Sequence, residues 1–461
     1  MPAANPMENR KIFPLLVSMS VPPIISMMIQ GLYNIVDSIF VAHVSQDALT
    51  AVSLVYPLQN ITLSLAVGLG VGLNACIARN LGAKRSKEAG DAAVHGLLCT
   101  AVHSVLFVIV GLFASEPFLR LFTQDEEILS LGCQYAVIVI CFSFGSLFHI
   151  CIEKMFQATG NMVIPMFLQA LGAVVNLILD PILIFGWMGI PAMGVTGAAV
   201  ATIIGQMIAC LSAILLFCKT NREIPITLRG FRLQKNIFRQ LYSVAIPSTL
   251  VMAMPSFMVG LLNRVLAGFS ETAVNVLGIY FKIQSFTYMP SNGLIQGMRP
   301  IMSFNYGAGN LQRMQETFRR SLQIVFVIMT AGMLLFLAIP ELLLSMFAAD
   351  EALMQMGIPA LRIISISFFL SSPAVIIAGS FEALGFGGRS LIVTMLRQLL
   401  IIPPLSFLLA PLLGPVGVWV TFPVAELIAS VVAIWLYHHT SKKILSQASS
   451  KSLTTSGEFS S

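Results

Sequence analysis

Charge is scarce in this chain. Of 461 residues, 26 are Lys or Arg and 20 are Asp or Glu, 10% in all. A water-soluble domain carries roughly 25% charged residues, so a soluble fold is excluded. Cysteine motifs are missing as well. The seven cysteines (Cys76, Cys99, Cys133, Cys141, Cys151, Cys210 and Cys218) all fall in the first half, mostly within or at the ends of apolar runs, and none forms a CxxC. They read as reduced, small apolar side chains, which leaves neither a disulfide framework nor a metal site. The chain has no GxxxxGK[ST] loop, so any work it does draws on an ion gradient or a partner and not on its own nucleotide site. It also has no HExxH, no GxSxG, no paired catalytic carboxylates and no folded segment outside the apolar runs, so no enzyme is expected.

What the chain has in quantity is apolar surface: 57% hydrophobic residues and a mean hydropathy of +0.87. At ~20 residues per crossing, twelve apolar stretches can be laid out, approximately 13–42, 50–78, 92–114, 127–155, 162–187, 194–218, 241–267, 272–303, 320–345, 356–384, 390–412 and 415–438. The polar start, Met1 to Lys11, and the length of the first run argue against a cleaved signal peptide, so that run is expected to be a retained span. The net charge of +6 would suggest nucleic acid in a soluble protein; here the placement of the charges matters more than their sum, and no nucleic-acid partner is expected. With the N-terminus inside, 21 of the 26 Lys and Arg residues fall in inner segments or the adjoining helix ends, Arg397 among them, while the outer loops carry Arg120 and mainly acids such as Asp125, Glu126, Asp350 and Glu351. The positive-inside rule is met at every turn. A multi-pass protein of the cytoplasmic membrane with both termini inside is therefore expected. The Ser/Thr-rich tail from Ser446 reads as disordered.

The chain also resembles itself at one constant offset, the step that carries Pro22 onto Pro247. The same step matches Ser45 to Ser270 and Ala48 to Ala273. Gly68, Gly72, Asn80, Gly82 and Ala83 match Gly293, Gly297, Asn305, Gly307 and Ala308. Phe156, Ala158 and Gly160 match Phe381, Ala383 and Gly385, and Gly189 matches Gly414. Gly194-Val195 matches Gly417-Val418 after a two-residue slip. An offset held this long means duplication. Six spans per half give both halves the same orientation, so the expected fold is an all-α integral membrane protein of twelve transmembrane helices in two six-helix bundles related by a pseudo-two-fold axis along the membrane normal. The expected boundaries are 1–218 for the N-terminal lobe, 219–240 for the loop between lobes, 241–440 for the C-terminal lobe and 441–461 for the tail. Two such bundles with a cleft between them suit alternating access.

Acids in mid-span are costly and usually have a task. Asp37 lies in Tyr33-Asn34-Ile35-Val36-Asp37 of the first span, and Asp180 lies four residues after Asn176 in the fifth, a spacing that shares one helical face. Such carboxyls can load and release a proton, or with neighbouring oxygens hold Na⁺. Pro22-Pro23 reads as a kink or hinge of the first span. The second half carries positive charge instead: Arg264, Lys282 and Arg299, with Gln284 and Gln296 nearby. These five are candidates for a substrate cleft favouring an anionic or zwitterionic compound, against the plainer reading that Arg264 snorkels outward and the other two charges are paired. The 24 Met and 31 Phe residues are mostly lipid or core surface, though a cleft lined by them suits a promiscuous binder.

Gly70-Val71-Gly72 through Asn80-Leu81-Gly82-Ala83-Lys84, the partner stretch Gly293 through Asn305-Tyr306-Gly307-Ala308, and Asn176-Leu177-Ile178-Leu179-Asp180-Pro181 resemble the MATE (multidrug and toxic compound extrusion) family, with bacterial members the nearest in kind. The resemblance runs over about residues 10–440 and implies cation-coupled efflux of drugs and metabolites through two six-helix lobes. Carried over residue by residue, it implies a cation-responsive cluster of Asp37, Tyr135, Asn176 and Asp180, with Asn34 beside it and Thr196 or Thr202 from the sixth span. Some members place acids in the seventh and tenth spans; here the seventh has Asn263-Arg264 and the tenth Arg362 and then Glu382 near its inner end, so coupling is expected in the N-terminal lobe. The expectation is an antiporter that exports small, cationic or zwitterionic organic compounds, works as a monomer among lipids, and uses H⁺ or Na⁺ with no cofactor or metal. The alternative on the same architecture is a flippase for a lipid-linked oligosaccharide or other anionic substrate.

Overall fold

The computed structural model describes residues 5–227, 229, 231–347 and 350–458, with side chains through Ser446. It is helical throughout. Long helices run in the order α1 (Ile12–Ala42), α2 (Gln46–Gly82), α3 (Ser86–Phe113), α4 (Glu126–Cys141 and Phe144–Ala158), α5 (Val163–Phe185), α6 (Gly194–Thr220), α7 (Lys235–Ala267), α8 (Glu271–Gly307), α9 (Leu311–Ala338), α10 (Glu351–Ala383), α11 (Gly387–Met395 continuing through Ile402–Leu413) and α12 (Pro415–Glu458). Ten of these are individually long and apolar enough to cross a membrane, and the two parts of α4, bent by 41° at Phe142-Ser143, together make an eleventh. The remaining helix, α8, has the length, at 37 residues, but Lys282, Gln284, Gln296 and Arg299 make it more polar than its companions. The expected span 320–345 is cut short: α9 stops at Ala338 and a separate short helix starts at Pro340, because proline cannot donate to the preceding turn. The final helix runs on through Glu458, where the sequence suggests a disordered tail.

The chain divides into two compact units. One holds Asn5 and residues 18–249, the other Pro6–Val17 and residues 250–458. In this division the first half of α7 goes with α2–α6, and the first turns of α1 with α8–α12. The change of unit falls one turn before Pro22-Pro23 in α1 and just after Pro247 in α7. Both prolines of α1 are buried, and the helix is continuous through them.

The repeat has a physical content that the backbone displays. Ser45 opens α2 with its hydroxyl accepting from the Ala48 N–H at 2.9 Å, and Ser270 opens α8 by accepting from Ala273 at 3.1 Å. Asp125 opens α4 and Asp350 opens α10 in the same way. Each side chain satisfies a donor that the first turn leaves unpaired. The helix ends repeat too. The N–H of Arg85 reaches the carbonyl of Asn80 at 2.9 Å, and that of Asn310 reaches Asn305 at 2.9 Å; Asn161 reaches Phe156 at 3.1 Å, and Phe386 reaches Phe381 at 2.7 Å. These are Schellman endings, which need a left-handed residue one step earlier. Gly160, Gly385 and Gly309 supply it with φ of 89°, 85° and 72°, while Lys84 does so at 59° without the glycine.

Inside each unit the packing of the second helix of the half against the fourth is solved twice in opposite senses. In the first unit Gly70 of α2 makes room for Lys154 of α4: a Cβ on Gly70 would sit 2.6 Å from Lys154 Cγ. In the second, at the matching positions of the repeat, the large residue is on α8 and the glycine on α10. A Cβ on Gly379 would sit 2.7 Å from Ile295 Cγ2. Elsewhere in the first unit, Gly68 and Gly72 bring the first half of α7 onto α2. A Cβ there would meet Thr249 Oγ1 at 2.1 Å and the Leu241 carbonyl at 2.5 Å. Tyr242 of α7 also bonds His103 of α3 at 3.0 Å.

Two of these local features carry stability predictions. Gly309→Ala meets no atom within 4 Å, so its whole cost is the left-handed backbone, about 1 kcal/mol, read as a lower melting temperature of the purified protein. Between α6 and α7, Glu223 accepts from Asn5 Nδ2 at 2.8 Å, and burial pushes its carboxyl above the usual range despite that bond. An acid raised on folding favours the native state at low pH and loses that contribution as pH climbs through the ordinary carboxylate range and beyond. Glu223→Gln is therefore expected to raise the melting temperature at neutral pH and to flatten its dependence between about pH 4 and about pH 7, measured by thermal unfolding across that range.

Candidate functional site

The first unit gathers its polar side chains where α1, α4, α5 and α6 meet. Asp180 of α5 is fully buried, Asn176 is 2% exposed and Tyr135 of α4 is 3% exposed; Asp37 of α1 is half-buried. The Asp37 and Asp180 carboxyl groups lie within hydrogen-bonding reach of each other once one carries a proton. As two carboxylates neither can donate, and Asp37 Oδ1 is then a buried oxygen without a partner. One proton between them removes both the repulsion and the orphan.

Asn176 locks the pair from the side. Of its two amide orientations, one satisfies both ends: Nδ2 donates to Asp180 Oδ2 at 3.0 Å and Oδ1 accepts the Thr202 backbone N–H at 3.0 Å. Tyr33, one turn before Asp37, points its hydroxyl at Thr202 and faces both acids. Tyr135 faces Asp37 and Tyr33 and meets Gln59 of α2. The close approach of α5 and α6 that this requires comes from Gly172 and Gly205, where a Cβ on Gly205 would lie 2.7 Å from the Gly172 carbonyl.

Four of the five residues expected here, Asp37, Tyr135, Asn176 and Asp180, are thus brought together. Asn34 is not: it is exposed, and only its carbonyl is engaged, by Ser38 at 2.8 Å. Asn34 lies on the exposed side of α1, whereas Tyr33, one turn before Asp37, stays on the inner face. Of the two threonines, Thr202 is in the cluster, and Thr196 bonds Gln134 at 3.2 Å in an exposed position. Tyr33 and Gln59 escape the sequence reading; Tyr33 is legible from its i,i+4 spacing to Asp37.

The five basic and amide residues proposed for a cleft in the second unit do not form one cluster. Arg264 and Lys282 are exposed, Gln284 and Gln296 half-buried. Lys282 Nζ lies 6.0 Å from the Phe347 ring, a cation–π contact. Arg299 is paired with Glu382, whose other oxygen accepts from Ser390 at 3.2 Å. Its charge is therefore neutralised inside the bundle. Arg397 is not at a helix end, as its place among the inner cations implies. It stands well inside α11, where the helix widens to π form over Leu396–Ile401, and it is bound to Glu426 of α12 at 2.6 and 2.9 Å. Glu426 is an isolated acid in the apolar run Val424-Ala425-Glu426-Leu427-Ile428, and the rule that singles out Asp37 applies to it equally.

A membrane-embedded helical bundle of two repeated units, with acids buried in its spans, is the architecture of a transporter. The comparisons agree. The model of the MatE family matches residues 22–182 and 247–408, and the two matches begin at Pro22 and Pro247, a pair that the internal repeat aligns. The chain belongs to the MatE family. It is 26% identical over 436 residues to the multidrug export protein MepA of Staphylococcus aureus, covering 94% of each chain, and 27% identical over the same length to MepA of Staphylococcus saprophyticus. Among solved structures it matches the outward-facing conformation of a multidrug resistance MATE family transporter of the MOP superfamily with a TM-score of 0.88 at 26% identity, over 94% of this chain and 96% of that one. A crystal structure of MATE in complex with MaL6 matches with a TM-score of 0.90 at 25% identity, over 97% and 100%.

The two threonines provide a direct test of this geometry. Thr202→Val removes the acceptor for a buried Tyr33 hydroxyl and is expected to cost about 1 kcal/mol, seen as a lower melting temperature. Thr196→Val, at an exposed bond, is expected to leave the melting temperature within error.

Proposed function

We propose that this protein is a proton-coupled antiporter that exports small cationic or zwitterionic organic compounds across the cytoplasmic membrane, with Asp37 and Asp180 as the coupling pair. The observation that carries the reading is the contact of two carboxyl groups from different spans, α1 and α5, one oxygen of which has no partner unless a proton is present. Proton loading from the outer side and release to the inner side, alternating with the movement of substrate, is the thermodynamic use of such a pair. The similarity to multidrug export proteins supports organic compounds as cargo. The pairing of Arg299 with Glu382 weakens the alternative of a lipid-linked pyrophosphate substrate, since it removes a cation that would receive it. In this reading both termini are cytoplasmic, the transporter acts as a monomer in the lipid, and it needs no cofactor and performs no covalent chemistry.

The test is efflux of an ethidium-type dye from cells making the wild type, Asp37→Asn or Asp180→Asn, each with a protonophore and with Na⁺ removed. Wild type is expected to expel the dye and to stop with the protonophore but not without Na⁺. Either Asn variant, inserted at normal level, is expected to lose at least tenfold of the rate. Efflux that persists in both variants removes the pair from coupling, and efflux that needs Na⁺ replaces the proton.

A further inference from the structure

The first unit holds a titratable side chain that the coupling pair does not use. His149 stands in the second part of α4, and its Nε2 is buried with no described residue in reach. Gln206 of α6 shares this property: its Oε1 is buried and unmet as well. A polar atom without a partner is costly inside a span, and each such atom calls for an explanation.

The helix contacts put both on one line with Asp180. Asn176, one turn before Asp180 on α5, holds the Thr202 N–H of α6 at 3.0 Å. Gln206 follows Thr202 by four residues, on the same face. Between them Gly205 lies against α5, where an added Cβ would sit 3.2 Å from Asn176 Cβ. Met207, the next residue of α6, packs on Gly145 of α4, where a Cβ would sit 2.7 Å from its sulfur. His149 and Glu153 follow Gly145 at four-residue steps, so the stripe of α4 that meets α6 at Gly145 runs on through His149 to Glu153. Each step is about 6 Å along the helix. The polar file therefore reads Asp180, Asn176, Thr202, Gln206, His149, Glu153. It ends in a triad: Glu153 Oε1 accepts from Lys154 at 2.8 Å and from Gln157 at 2.7 Å. The charged groups facing His149 are Glu153 and Lys154, both of its own helix. From α2 comes Asn74, which donates to the Lys154 carbonyl at 3.2 Å, and from α6 comes Gln206; neither carries charge.

We infer that His149 is the relay through which the proton of the Asp37–Asp180 pair leaves toward the inner side, with water joining Gln206 to His149. The transfer balances. Asp180 gives up the proton and returns to carboxylate, and the Nε2 lone pair of His149 takes it through the water. The imidazolium, faced by Glu153, then passes one proton to the inner solution and returns to neutral imidazole. Histidine suits this step because its charge changes within the physiological range. Gln206 cannot carry a proton, but its Oε1 can hold the bridging water. The relay deepens the exporter reading and rests on it for the proton and for the direction of release.

Two transport modes test it in proteoliposomes of the full-length protein. The first is net uptake of an ethidium-type dye driven by an acid lumen, which requires the proton to cross. The second is exchange of labelled dye for unlabelled dye at equal pH on both sides, which proceeds through the dye-bound protein and requires no proton release. Wild type is expected to perform both. His149→Gln should lose at least about tenfold of net uptake and exchange at the wild-type rate, and Gln206→Leu should change in the same direction. Net uptake that persists in His149→Gln overturns the relay. So does an equal loss of uptake and exchange, which is the mark of a packing defect. Should His149→Gln fail to insert, Gln206→Leu decides on the same two outcomes. Asp180→Asn separates the relay from the coupling pair: if it abolishes net uptake and His149→Gln does not, the relay falls and the exporter reading stands. Wild type that exchanges dye without responding to the acid lumen removes the proton, and the relay with it.

Discussion

Inside hydrocarbon a polar atom has no water to turn to, and that constraint orders most of what is distinctive here. Helix ends are closed by side chains and left-handed residues at matching places in both halves, so few backbone donors reach the bilayer unpaired. Side chains that cannot be closed off are drawn into pairs: Asp37 with Asp180, Lys154 with Glu153 at 2.8 Å, Arg299 with Glu382, Arg397 with Glu426. The pairs differ in how fully they are satisfied, and Arg299 keeps a buried Nε that no described residue meets. Lys154 also holds Gln157 at 3.0 Å, and Gln157 in turn holds Glu153 at 2.7 Å, so that triad is closed. Asp37 and Glu426 each keep one buried oxygen that only a proton or a new partner can satisfy.

The large features of this arrangement were legible in the sequence because they are set by patterns longer than one residue. Span length, the distribution of Lys and Arg, and the constant offset between the halves each average over many positions, and the helices, family and cluster around Asp180 follow from them. The failures are local. The choice between Asn34 and Tyr33, and between Thr196 and Thr202, turns on which way a helix is rotated in its bundle, and an apolar environment on all sides hides that rotation. Arg397 was misplaced for a related reason. A cation near the inner side of an apolar run reads as part of the inner charge, and only the position of α12 shows that an acid lies opposite it.

The repeat itself was visible as matched residues, but its reasons were not. Ser45 and Ser270 recur because each starts a helix, and Gly160 and Gly385 because each ends one. The unlike partners at the same sites are equally informative. Lys84 stands where Gly309 stands in the other half, accepting a left-handed backbone that a glycine adopts without strain. Gly70 against Lys154 becomes Ile295 against Gly379: the helix that yields space changes, while the closeness of the two helices does not. What duplication has conserved is the geometry of the backbone, and the side chains that meet it have been free to trade places.

That freedom accounts for how one architecture can hold two opposite electrostatic sites. In the first unit the polar cluster is built of acids, a tyrosine pair and amides with no cation among them, so the entity that neutralises it must come from outside, and a proton suffices. In the second unit the buried acids Glu382 and Glu426 are each paired with an arginine of the same unit, Arg299 and Arg397, so their charge is already neutralised. Both arrangements answer the same cost of leaving a charge alone in hydrocarbon, one by taking a proton from outside and the other by carrying its own counter-ion.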